Sequence, residues 1–111
     1  MSSLRTVPQQ EWRGFFDGMS KALVGTLAEI EVAALPLGDQ IVVEWVPLLG
    51  ITYDSKDDAL DVVLKEMSHV IQHPREIVVD EAQGRLASVA VVDGDGARQV
   101  VRLKEPLRLK P

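Results

Sequence analysis

The spacing of apolar residues changes once along this chain, from a helical period to a period of two, and that change restricts the fold more than any other feature. Trp12, Phe15, Phe16, Met19, Leu23 and Val24 recur at i, i+3, i+4, i+7, i+11 and i+12, the single stripe of an amphipathic helix. Pro8 suits the first turn, where its missing N–H costs nothing, and Gly25 suits the stop, so the helix is expected over about 9–24. Arg13, Asp17 and Lys21 line the opposite face at i, i+4 spacing. Gly14 and Gly18 each cost about 1 kcal/mol against alanine inside a helix, which fits a face that packs against nothing.

From residue 26 onward the pattern reads as sheet. Ala28, Ile30 and Val32 alternate with Glu29 and Glu31, as in a half-buried strand over 26–35. Leu35-Pro36-Leu37-Gly38 reads as a β-turn, with proline second and glycine fourth. Ile41, Val43 and Trp45 continue the alternation until Pro47, which cannot donate to a ladder and is expected to end or bend the strand. A short strand follows at 50–53, then a polar loop at 54–58. The stretch 59–73 fits two patterns: strand–turn–strand, from Leu60, Val62 and Leu64, or a helix capped by Asp57 or Asp58 and stopped by Pro74. Strand signals return at 77–79, 86–92 and 99–103, separated by the turn sequences Gln83-Gly84 and Asp93-Gly94-Asp95-Gly96.

With 111 residues, 46% of them hydrophobic and 26% charged, the chain has room for one ordinary globular domain: a helix, a β-rich region over 26–104 and an extended tail over 105–111. The absence of cysteine excludes disulfides, thiolate metal sites and thiol nucleophiles. No apolar run suits a signal peptide or a spanning helix, and the expectation is a cytoplasmic protein with no membrane partner. The net charge of −5 argues against nucleic acid as the main partner. That charge is uneven. Residues 97–111 carry a net +4, from Arg98, Arg102, Lys104, Arg108 and Lys110 against Glu105, which leaves −9 on the first 96 residues. Alternation of Arg98, Arg102 and Lys104 with Val101 and Leu103 predicts an edge strand whose cationic row either guards it or meets acidic surface.

Three stretches taken together carry a resemblance. Trp12-Arg13-Gly14-Phe15-Phe16-Asp17, Gly50 to Asp58 and His73-Pro74-Arg75-Glu76-Ile77 are similar to the signatures of an uncharacterised family of small bacterial domains of unknown function. That resemblance brings no activity, substrate or catalytic residue. Residues 51–92 also resemble, more loosely, another uncharacterised small β-rich family, which implies strands on both sides of a turn within 59–73.

The residues themselves assemble no recognisable chemistry. Asp54, Asp57 and Asp58 have carboxylates suited to a hard cation, but the spacing lacks the central glycine and the twelfth-position glutamate of a calcium loop. His69 and His73 would share a metal on a helix; on a strand they stand about 13 Å apart, too far for one ion. Ser20, Ser55, Ser68 and Ser88 lack a nucleophile-elbow motif, and no glycine loop cradles a phosphate. No metal, cofactor or catalytic residue is assigned, and enzyme activity is not expected.

The fold expected is α+β, an N-terminal amphipathic helix packed on a mainly antiparallel sheet of about seven or eight short strands curled toward a barrel. The function expected is a non-catalytic interaction or assembly module with a protein partner or a second copy of itself. The alternative is a small enzyme or ligand-binding protein with a pocket near Tyr53, Asp54, His69 and His73. Nucleic-acid binding through Arg98, Arg102 and Lys104 ranks last, because the strands offer no row of aromatics for base stacking.

Overall fold

The stripe that begins at Trp12 folds as a helix because its apolar residues find one continuous core. The computed structural model describes residues 2–34 and 38–108; most of the expected 35–38 turn, and the end of the expected tail at 109–111, lie outside the described residues. A short 3-10 turn, Gln9–Glu11, leads into α1, Trp12–Leu23. Trp12, Phe16, Met19 and Leu23 are buried, Phe15 is partly buried against the core, and the Trp12 indole N–H donates to the Val7 carbonyl at 2.8 Å. Space around Gly14 and Gly18 is open, as expected for the outward face. The Ser20 hydroxyl lies 2.9 Å from the Phe16 carbonyl oxygen and 3.0 Å from that of Ile51, tying the helix to the strand beneath it.

Among the described residues that sheet has eight strands: β1 (Ser2–Thr6), β2 (Leu27–Ala34), β3 (Gly38–Asp54), β4 (Ala59–Leu64), β5 (Met67–Gln72), β6 (Glu76–Ala82), β7 (Arg85–Val92) and β8 (Arg98–Arg108). Every neighbouring pair is antiparallel, in the order β1-β6-β7-β8-β2-β3-β4-β5. One short helix on an eight-strand antiparallel sheet is the α+β architecture expected. Among the described residues β1 and β5 form no ladder, so the sheet curls without closing into a barrel. The curl is strong: His69 on β5 reaches Gln99 on β8, with three strands between them in the sheet.

Several expectations change. The two strands expected on either side of Pro47 are one strand of 17 residues, β3, which pairs with β2 through its first part and with β4 through its second. Trp45, at φ 50°, sits where β3 carries an extra residue against β2, and this bulge with Pro47 turns the strand from one half of the sheet to the other. Residues 59–73 take the strand–turn–strand form, with Glu66 at φ 64° where glycine is usual. β1 was not expected at all; its short polar run shows no alternation beyond Leu4. The expected tail is largely strand, since β8 continues to Arg108 with Leu107 opposite Leu86.

The largest correction concerns β8. It is not an edge strand: β7 flanks it on one side and β2 on the other, and the edges are β1 and β5. Its cationic row needs no guarding role, because Arg102 pairs with glutamates of the adjoining β2.

Candidate functional site

Tyr53 is the last residue but one of β3, Asp58 precedes β4 and His73 follows β5, so the β3–β4–β5 meander brings all three to one corner. The Tyr53 hydroxyl donates to Asp58 Oδ1 at 2.7 Å, while Asp58 Oδ2 lies 3.3 Å from His73 Nδ1. The His73 backbone N–H also donates to the Asp58 carbonyl at 2.8 Å. Asp58 and His73 hold positive φ, 50° and 51°, a conformation that costs a non-glycine residue about 1–2 kcal/mol. Tyr53 is buried and meets Trp12 edge to face at 5.2 Å. Burial first, and the Asp58 carboxylate second, push the Tyr53 phenol above its ordinary value, so it is a neutral donor and not a base at neutral pH. Beside this corner lies a depression of 470 Å3 lined by Asp58, Gln72, His73, Pro74, Arg75, Gly94 and Asp95. A second, of 550 Å3, touches Tyr53 from the helix side.

The other residues singled out from the sequence do not join this corner. Asp54 Oδ1 accepts the backbone N–H groups of Lys56 at 2.9 Å and Asp57 at 3.4 Å, which shapes the loop. His69 instead meets Gln99, its Nε2 2.6 Å from Gln99 Oε1. Gln99 in turn donates through Nε2 to Asp93 Oδ2 at 2.8 Å, and Asp93 Oδ1 accepts the N–H groups of Asp95 and Ala97 at 2.9 Å. Asp93 and Gln99 are both buried, so this chain of bonds pins the β7–β8 loop beneath β5. The two histidines therefore serve separate networks. Asp58, which links Tyr53 to His73, is read from the sequence as one of a cluster of aspartates and as an alternative helix cap; its role as the bridge needs β4 and β5 paired. Among the described residues no group of three or more His, Asp or Glu side chains stands close enough to hold a metal ion.

Arg102, Arg98 and Lys104 also part company. Arg102 Nη1 lies 2.6 Å from Glu31 Oε1 and 3.3 Å from Glu29 Oε1. That contact holds Glu31 below the usual carboxylate range, with Asp39 assisting, and the Glu31 carboxylate holds Asp39 above it. The Lys104 ammonium sits 5.9 Å from the centre of the Trp45 ring. Arg98 is exposed and makes no ion pair among the described residues.

The register places these cations on the face of the sheet away from the helix. Across β6, β7 and β8 that outer face reads in three rows: Asp80–Ser88–Arg102, Val78–Ala90–Val100 and Glu76–Val92–Arg98. Acids lie on one flank, arginines on the other, and a neutral strand between. Sequence patterning supplied the alternation but not the neighbours, so this arrangement was invisible before the strands were ordered.

No helix among the described residues is long and apolar enough to cross a membrane. No solved structure matches the chain. An uncharacterized protein of Aquifex aeolicus (strain VF5) is 39% identical to it over 106 residues, 95% of this chain and 96% of that protein. A family model matches residues 3–111, and the chain belongs to that family, the family of unknown function DUF5335.

Proposed function

We propose that this protein is a non-catalytic interaction module whose working surface is the outer face of β6, β7 and β8. One contrast carries the reading. Tyr53, Asp58 and His73 direct their polar groups at one another, whereas the outer face presents half-buried Val78, Ala90 and Val92 between flanks of opposite charge. A solvated sheet face ordinarily alternates toward polar residues, so an apolar centre suits a contact surface. The partner is a protein, since the net charge of −5 repels nucleic acid and Arg102 is engaged with Glu29 and Glu31. A cytoplasmic location belongs to the same proposal and is checked by cell fractionation.

A second reading, a ligand site at the Tyr53 corner, is favoured by the paired positive-φ residues Asp58 and His73 beside a depression of 470 Å3. Replacement in the host's own gene separates the two. Ala90→Lys is expected to reproduce the deletion phenotype at normal protein level, and His73→Gln to leave function intact. The reverse pattern would move the function to the corner.

A further inference from the structure

We infer that the outer face of β6, β7 and β8 takes a second copy of this chain, stacked face to face about a two-fold axis running along β7. The inference rests on the interaction-module reading and names its partner.

The argument is one of charge placement. A two-fold axis parallel to β7, lying between two stacked sheets, keeps each row in place and exchanges the flanks. β6 of one copy then lies over β8 of the other, so Glu76 faces Arg98, Asp80 faces Arg102 and Val78 faces Val100, each pair formed twice. Ala90 meets its own counterpart at the centre, small enough for close approach. An axis perpendicular to the strands would invert the rows and set Arg98 over Arg102, a like-charge contact. Only the first arrangement matches opposite charges in both outer rows. It is also the aligned packing of β-sandwiches, with strands within about 30° and sheets about 10 Å apart.

Two side chains on this face have bonding capacity to spare. Glu76 and Arg98, which face each other across the axis, are both exposed and without an ion pair among the described residues. A carboxylate and an arginine brought together between two sheets form a charge-assisted pair stronger than a neutral hydrogen bond. The pairing of Asp80 with Arg102 adds less, because Arg102 already engages Glu29 and Glu31 through Nη1 within its own chain. Three rows across a few strands offer fewer side chains than the roughly 20–30 per side of a standard interface, so a dissociation constant in the micromolar range is expected.

Sedimentation velocity over a concentration series tests this. The wild-type chain is expected to pass from monomer to dimer between about 1 and 300 μM, with weaker association in high salt. Glu76→Arg should weaken the dimer at least tenfold, and Ala90→Arg should abolish it. Adding Arg98→Glu to Glu76→Arg should restore association to within about threefold of wild type, because the swapped charges face each other again across the axis. Within one chain Glu76 and Arg98 are separated by β7, so an intramolecular role predicts no such rescue. Near-ultraviolet circular dichroism confirms that each variant is folded. A wild-type monomer at 300 μM overturns the second-copy assignment, as does a dimer indifferent to Ala90→Arg and Glu76→Arg, which would place association at the β1 or β5 edge. Either result leaves the interaction-module reading to be judged by Ala90→Lys in the host.

Discussion

Gly94 lies so close to His73 that a methyl group on it would stand 2.8 Å from the histidine Cβ and 3.4 Å from its carbonyl oxygen. This approach joins the end of β5 to the β7–β8 loop, where the Gly94 N–H donates to the Gln72 carbonyl at 3.2 Å. The neighbour is a Cβ and backbone, not the tip of a flexible side chain, so Gly94→Ala must displace the chain itself. Gly94→Ala is expected to cost about 1–3 kcal/mol in urea denaturation. Gly14→Ala and Gly18→Ala, in open helical positions, should each stabilise by up to about 1 kcal/mol. If all three behave alike, the close contact is not a constraint.

Phe16 carries the docking of the helix. Its side chain is fully buried and meets Phe15 edge to face at 5.2 Å. Phe16→Ala should lower the stability by about 3–5 kcal/mol, measured by chemical denaturation. An unchanged midpoint would make α1 a detachable arm.

Tyr53→Phe removes the hydroxyl and keeps the ring against Trp12. The lost bond to a half-exposed carboxylate should cost about 1 kcal/mol at pH 7. The sign of the pH dependence follows from the raised phenol. Tyr53 favours the fold fully below its ordinary value of 10.0, and that contribution is lost as pH rises through the higher folded value. Thermal melts of the two proteins should therefore converge above pH 10, and parallel curves would argue against a phenol raised by burial and Asp58.

Arg102→Met tests the glutamate pair on β2. Glu31 is held below the usual carboxylate range chiefly by Arg102, so its contribution is present above the ordinary value of 4.5 and is lost as pH falls through the folded one. Asp39 works the opposite way, because Glu31 raises it and folding favours its neutral form. The melting temperature of Arg102→Met is thus expected to lie below wild type at pH 7, with the gap closing in acid. A gap that persists at pH 2 would point to lost packing of the arginine stem.

The 54–58 loop should not bind a hard cation tightly. Asp54 is committed to backbone N–H groups and Asp58 to Tyr53 and His73. Calorimetric titration with calcium or magnesium is expected to reveal no site tighter than about 10⁻³ M. A micromolar site abolished by Asp57→Asn would reverse that view.

The sequence by itself determined the local units. A helical stripe from Trp12 to Leu23, alternation in β2, β7 and β8, and the Gln83-Gly84 turn, whose residues both take positive φ, are short-range properties that side-chain spacing and turn chemistry impose. Only the tertiary structure decided the rest. The same alternation serves an edge or a central strand, so nothing local could place β8 between β7 and β2. Pro47 reads as a strand end, yet its carbonyl accepts from Lys65 and the chain continues as β3, because a bend there lets one strand serve two halves of the sheet. Asp58 reached His73, and the acids of β6 came to flank the arginines of β8, through strand pairings between residues far apart in the chain. Which strands pair is settled by how the whole apolar set is buried at once, a property of the assembled core and not of any segment within it.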